Sequence, residues 1–262
     1  MDIQLLEKNK ELTKLSFVLK GVEPAYANSL RRYMINKVPT MAIEDVEFRK
    51  NSSALYDEVI AHRLGLVPLT TDLKSYNLPK DCKCKGVGCS QCQLKITLKV
   101  KGPKTVYASD FKSKDPNVKP AFPKMPIVKL LKDQELEFVA LAIMGVGKEH
   151  IKWAPCLAYY TCAPNITVNN SSSKFEEFKN KYPEQIFDGK GKINKQKILD
   201  LNLVDACDGI CEDIVKIEYS NDTFNFHIES WGQLSCKEIT AESVKVFNKA
   251  LNDFSDKLKE IK

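Results

Sequence analysis

Val244-Lys245-Val246-Phe247-Asn248-Lys249-Ala250-Leu251-Asn252-Asp253-Phe254-Ser255-Asp256-Lys257-Leu258-Lys259-Glu260-Ile261 places Val244, Phe247, Leu251, Phe254, Leu258 and Ile261 at steps of 3, 4, 3, 4 and 3. Such steps draw one narrow apolar seam along a helix. At about 1.5 Å per residue, the last 22 residues would extend about 30 Å. Thr240, Glu242 and Ser243 offer capping chemistry at its start. A seam this narrow suits packing on another helix or on the chain's own sheet, and the spacing leaves both open.

The N-terminal 50 residues predict strand, strand, helix, strand. Ile3 and Leu5, then Leu15, Phe17 and Leu19, alternate with polar residues in the period of half-buried strands. Gly21 breaks the pattern and Glu23-Pro24 opens a helix, proline being tolerated in a first turn. Tyr26, Leu30, Tyr33 and Met34 recur at helical spacing until Val38-Pro39 stops them. Met41, Ile43, Val46 and Phe48 then read as a strand. Further on come a short helix at 56–64, a cysteine-rich loop at 72–93, and strands at 94–100, 106–107, 127–131 and 136–143. Pro116, Pro120, Pro123 and Pro126 predict an extended loop over 112–126. Asn169-Asn170-Ser171-Ser172-Ser173 opens a polar stretch read as a weakly cored insertion, and 214–219 with 224–228 reads as a hairpin turning at Asn221-Asp222. The whole is an α+β pattern.

With 43% hydrophobic residues and 28% charged ones, the chain has the composition of a soluble globular protein. Its net charge of +6 comes from 40 basic and 34 acidic residues interleaved along the chain, which does not define a nucleic-acid groove. No signal peptide opens the chain, and no run reaches the roughly 20 apolar residues that cross a bilayer. A cytoplasmic protein with reduced cysteines is expected. Gly145-Val146-Gly147-Lys148 fails as a phosphate loop, because Ala142 holds the first glycine position and Glu149 the magnesium-binding one. No acidic triplet marks a two-metal centre, so no catalytic residues are assigned.

Cys82, Cys84, Cys89 and Cys92 are spaced C-x-C-x4-C-x2-C, with Gly86 and Gly88 letting the chain fold back. Four crowded thiolates repel one another unless a cation binds, so the set reads as a structural zinc site or as four reduced surface thiols. Cys207 and Cys211 would put both sulfurs on one helical face, but two thiolates alone do not hold an iron–sulfur cluster. Cys156, Cys162 and Cys236 read as small core hydrophobes.

Ala27-Asn28-Ser29-Leu30-Arg31-Arg32, Val38-Pro39-Thr40-Met41-Ala42-Ile43 and Leu55-Tyr56-Asp57-Glu58-Val59-Ile60-Ala61-His62-Arg63-Leu64-Gly65-Leu66-Val67-Pro68-Leu69 together resemble the D family of archaeal RNA polymerase subunits. That family is similar to eukaryotic third-largest subunits and to the bacterial alpha N-terminal domain. Tyr107-Ala108-Ser109-Asp110-Phe111, Gly147-Lys148-Glu149-His150 with Lys152-Trp153, and Glu229-Ser230-Trp231-Gly232 extend the resemblance over nearly the whole chain.

The resemblance implies a discontinuous alpha-like dimerisation domain, a sheet plus two helices, at 1–48 and 214–262. It implies an inserted mostly-β domain at 49–168 and a small ferredoxin-like segment at 169–213. It also implies a non-catalytic assembly subunit that pairs with a small subunit L, recruits subunits N and P and the large catalytic subunits, and meets DNA only through the complex. Tyr26, Leu30, Arg31, Arg32 and the seam from Val244 to Ile261 would face the partner. Where many relatives carry four cluster cysteines, this chain has Leu201, Val204, Cys207 and Cys211, and Tyr182 stands where a Cys-Pro-Glu turn has its cysteine. An iron–sulfur cluster is therefore not expected, and a free-standing zinc or iron–sulfur redox protein is the rival reading.

Overall fold

The computed structural model describes residues 1–261. The expected opening order is present: β1 (Asp2–Lys8), β2 (Lys14–Lys20), α1 (Pro24–Asn36) and β3 (Pro39–Asn51). Pro24 is the first residue of α1, where its missing N–H costs no helical bond. After them come α2 (Asp57–Gly65), β4 (Gln93–Lys101), β5 (Lys104–Tyr107), β6 (Lys112–Ser113), β7 (Pro126–Leu130), β8 (Glu135–Val146) and β9 (Cys156–Val168). Three short helices, α3 (Phe175–Phe178), α4 (Lys195–Asp200) and α5 (Val204–Cys207), precede β10 (Val215–Ser230) and α6 (Cys236–Glu260). The sheets run β1-β2-β10-β9, β3-β8-β4-β6 and β5-β7. No helix of the described residues is long and apolar enough to cross a membrane.

The chain divides into two compact units, one of residues 5–17, 25–159 and 226–262, the other of 1–4, 18–24 and 160–225. In the larger unit the main core lies under β3, β8 and β4. Leu136, Phe138, Ala140, Ala142 and Met144 alternate inward along β8, as a half-buried strand requires. β3 pairs antiparallel with β8 from Pro39↔Val146 to Asn51↔Leu136, with irregularities at Ile43/Asp45 and Phe48/Lys50. At the first, Lys152 donates to the Ile43 carbonyl at 3.0 Å and pairs with the Glu44 carboxylate. Its ammonium also lies 4.5 Å from the centre of the Trp153 ring. Trp153 lies against Gly145, where a Cβ would come within 2.4 Å of its ring. Gly145 thus serves packing in a strand. Helix α2 adds Ile60 and Leu64, one turn apart on its inner face.

In the smaller unit, Ile166, Phe175, Tyr182, Ile186, Ile193, Ile198, Cys207, Ile214 and Val215 form one buried cluster. This corrects the weakly cored reading of 169–197. The polar stretch at 169–173 is a fixed turn: Asn170 exchanges hydrogen bonds with the Ile193 backbone at 2.8 and 3.1 Å.

Three further expectations change. No hairpin turns at Asn221-Asp222; β10 runs straight through, flanked by bonds from Asn169 N–H to the Ile214 carbonyl and from Trp231 N–H to the Pro155 carbonyl. Neither residue has the positive φ that tight hairpin turns require. β9, which no pattern in the sequence announces, is a strand of 13 residues. Helix α6 starts earlier than expected: Ser235 caps it, and Glu238 returns a bond to the Ser235 N–H at 2.9 Å. Thr240 and Ser243 lie inside the helix and bond back to the carbonyls of Cys236 and Thr240.

Candidate metal centre and assembly surface

The loop before β4 gathers Cys82, Cys84, Cys89 and Cys92, whose sulfurs all lie within 4.8 Å of one another. Cys82 and Cys89 are 3.5 Å apart, Cys84 and Cys92 3.5 Å, and Cys89 and Cys92 3.8 Å. A tetrahedral ion with bonds of about 2.3 Å to sulfur separates its ligands by about 3.8 Å, so the set has the size of a four-thiolate metal site. Three tight turns build it. Lys85 N–H bonds the Cys82 carbonyl, Val87 N–H the Cys84 carbonyl, and Cys92 N–H the Cys89 carbonyl. Gly86 and Gly88 supply φ values of +84° and +101°, which side chains disfavour. The Cys89 N–H also points at the Cys92 sulfur, 3.3 Å away.

These thiols are inequivalent. The Gly88 N–H, and then the Cys92 thiol, bring Cys84 down to about 6, whereas burial pushes Cys92 up to about 12. Four thiolates together require a cation, and the donor set and spacing could hold one metal ion with no position left open for substrate. Among the described residues this is the one group of three or more potential ligands close enough to share an ion.

Cys207 and Cys211 behave otherwise. Helix α5 ends at Cys207 and the chain turns at Gly209, so the two do not share a helical face, contrary to the expectation from their spacing. Cys207 is buried, Val204 is half-buried and packs with Cys211 against the same apolar cluster, and Leu201 is 50% exposed. Tyr182 is buried and its hydroxyl donates to the Cys211 carbonyl at 3.3 Å. Burial, and then the nearby Cys211 and Cys207 thiols, push Tyr182 up to about 12, so it stays neutral. Cys156 and Cys236 are buried, and Cys162 is half-buried on β9.

The seam on α6 divides. Phe247 packs its ring 4.8 Å from Tyr33 and 6.3 Å from Tyr26, both on α1. Val244 is at the margin of exposure, while Leu251, Phe254, Leu258 and Ile261 are 51%, 62%, 50% and 74% exposed. Every residue from 248 to 261 is exposed. On α1, Leu30 is buried in the chain's own core, Arg31 is half-buried and bonded to the Asn28 side chain at 2.9 Å, and Arg32 is exposed.

Residues 42–155 match the RNA polymerase Rpb3/RpoA insert domain, which places the chain in the alpha-like class of polymerase subunits. Nearly the whole chain is similar to the DNA-directed RNA polymerase subunit Rpo3 of Methanosarcina acetivorans, 36% identical over 252 residues and 94% of each chain. The same subunit of Archaeoglobus fulgidus is 34% identical over 99% of this chain and 98% of its own, and that of Pyrococcus furiosus 34% over 100% and 98%. The chain belongs to this Rpo3 family of DNA-directed RNA polymerase subunits. Membership does not favour the free-standing redox reading.

Proposed function

We propose that this chain is a non-catalytic assembly platform of an archaeal-type RNA polymerase, a member of the D family of subunits. It pairs with a small subunit L and then recruits subunits N and P and the large catalytic subunits. DNA is met only through the assembled enzyme, in the cytoplasm. The dimerisation domain is assigned to 1–48 and 214–262, the inserted domain to 49–168, and the third segment to 169–213. The family match draws the insert itself at 42–155.

The observation that carries this reading is the apolar stripe Leu251, Phe254 and Leu258, exposed on a helix of 25 residues, with exposed Ile261 just past its end. Water-facing side chains of this size gain about 1.5–3 kcal/mol each when fully buried. Their 3.5-residue spacing fits one partner helix. Tyr26, Arg31 and Arg32 on α1 extend the surface, and Arg32 offers a planar, multidentate donor. The four-cysteine site is assigned to zinc, which accepts tetrahedral thiolate ligation and gives the loop a rigid core. An iron–sulfur cluster is not assigned, since Tyr182, Leu201 and Val204 offer no sulfur.

Leu251→Asp with Phe254→Asp places two charges in that contact, where desolvation is unfavourable. The expected result is loss of co-purification with the small subunit and then with the large ones, while circular dichroism stays unchanged. Partner binding at unchanged affinity would refute the platform reading. RNA synthesis by the purified chain alone would refute its non-catalytic part.

A further inference from the structure

We infer that the lysine-rich hairpin at 187–193, with Lys179 beside it and Lys195 just after it, is a contact site for the phosphate backbone of duplex DNA. The inference goes beyond the platform reading. Residues 179–197 hold six lysines, Lys179, Lys181, Lys190, Lys192, Lys195 and Lys197, against two carboxylates, Glu184 and Asp188, and no arginine. That local excess of four positive charges sits in a chain whose net charge is +6. Composition hides it, because residues 198–215 answer with five carboxylates and no lysine or arginine. Among the described residues none of the six lysines is held in an ion pair.

The hairpin is fixed by its own backbone. Phe187 and Ile193 form an antiparallel bridge, and the Asp188 N–H donates to the Lys192 carbonyl at 2.8 Å. One oxygen of the Asp188 carboxylate accepts from the Lys192 and Lys190 N–H groups at 2.9 and 2.8 Å, which holds that carboxyl below its usual range. The acid inside the patch is thus engaged with backbone. Gly191 turns with a φ of +73°, and a Cβ there would lie 3.6 Å from the Lys179 ammonium. A third lysine head therefore lies against the turn that Lys190 and Lys192 flank. Lys179 is half-buried, its ammonium 5.9 Å from the centre of the Phe175 ring. Lys197 donates to the Phe187 carbonyl at 2.5 Å and ties down the first arm. Lys190, Lys192 and Lys195 remain exposed.

The surroundings select the ligand. Among the described residues from 160 to 200, no large apolar side chain is exposed, so a protein partner would find no anchor of the kind that interfaces bury. Lysine ammoniums are compact point charges without the planar fork that suits a carboxylate. Contact with a phosphate backbone asks for a row of such charges and for no common focus. So few contacts bind weakly and without regard to sequence. The site therefore acts on DNA that the assembled enzyme already holds, where the local concentration of phosphate is high.

The test is fluorescence anisotropy of the full chain with two labelled DNA duplexes of unrelated sequence, over a series of salt concentrations. Both should bind alike at low salt, with log affinity falling linearly against log salt. Lys190→Glu with Lys192→Glu should weaken both about tenfold or more and lower the slope by about two. Lys124→Glu with Lys132→Glu, the same charge change on exposed lysines of the larger unit, should stay within about twofold of wild type. Lys195→Gln, outside the turn, should weaken both duplexes in the same direction even where the double change loosens the hairpin. No binding at low salt, or wild-type affinity in the hairpin variants, overturns the inference. Equal loss from the two Glu pairs also overturns it, since affinity would then follow net charge alone. A glutamate homopolymer that displaces DNA as well as unlabelled duplex of equal charge overturns it in favour of an acidic peptide.

Discussion

The loop at 82–92 and the segment at 169–213 are both short, irregular and cysteine-bearing, yet they solve opposite folding problems. In the loop, four sulfurs crowd within 4.8 Å while Val87 between them is 89% exposed. In the segment, Phe175, Ile186, Ile193, Ile198 and Ile214 fill the interior, and Cys207 is one more apolar filler. A loop with so little apolar surface of its own would gain folding energy from an ion held by its four sulfurs. A segment with its own core need not, and there Tyr182 occupies space with a ring.

The largest expected effect follows from the loop's side of that contrast. Structural zinc in small sites contributes an apparent ~10–16 kcal/mol, so Cys89→Ser with Cys92→Ser should release the metal and disorder residues 82–92. Elemental analysis should find about one zinc per wild-type chain and none in the variant, and amide exchange should report the loosened loop. Reduced wild-type protein without metal would make the cluster four plain thiols. The pH dependence has a definite sign. Cys92, pushed up to about 12 by burial, carries a proton at neutral pH that the metal must displace. Affinity should therefore rise with pH and fall on acidification, measured by competition with a chromogenic chelator.

The segment's side predicts a smaller, metal-independent effect. Ile198→Ala removes a fully buried side chain and should destabilise 169–213 by about 2–5 kcal/mol, read by amide exchange in α4 and α5. Chelation should leave those amides as protected as before, and anaerobically purified protein should hold no stoichiometric iron and sulfide. Equal loosening by chelator and by Ile198→Ala would erase the contrast between the two regions.

The two regions also differ in how far they could be read from sequence. The four-cysteine cluster was legible because its members are local: spacing within eleven residues already limits how far apart the sulfurs can lie. The β1-β2-α1-β3 order was legible for a related reason, since alternation and helical period are written residue by residue. Both faces of β1 are nonetheless exposed, and the half-burial expected from Ile3 and Leu5 is not found. The core at 169–213 was not. Ile186, Ile193 and Ile198 come one to a short element, so no period announces them. β10 was misread because Asn221-Asp222 carries turn composition, while strand pairing along β9 decides the conformation. On α6 the seam was read correctly as a spacing, but which members are covered depends on Tyr26 and Tyr33 of α1, far away in sequence.

The smallest expected effect tests what Tyr182 contributes where a cluster ligand would be. Its ring is buried among apolar neighbours, and its hydroxyl reaches the Cys211 carbonyl at 3.3 Å, a long bond. That carbonyl also accepts from the Ile214 and Val215 N–H groups, so Tyr182→Phe leaves no orphaned acceptor. The cost should lie at the low end of about 0.5–1.5 kcal/mol for one neutral hydrogen bond. Tyr182→Ala empties the site and should cost about 3–5 kcal/mol, as large aromatic deletions do. Amide exchange at 198–207 under native conditions reads both variants against wild type, and the ratio decides. A small Phe cost with a large Ala cost means the ring holds the segment by filling space, which is the apolar solution in its simplest form. A Phe variant as damaged as the Ala variant would mean that the hydroxyl orders the Cys211 turn, and the segment would then be organised by a polar anchor.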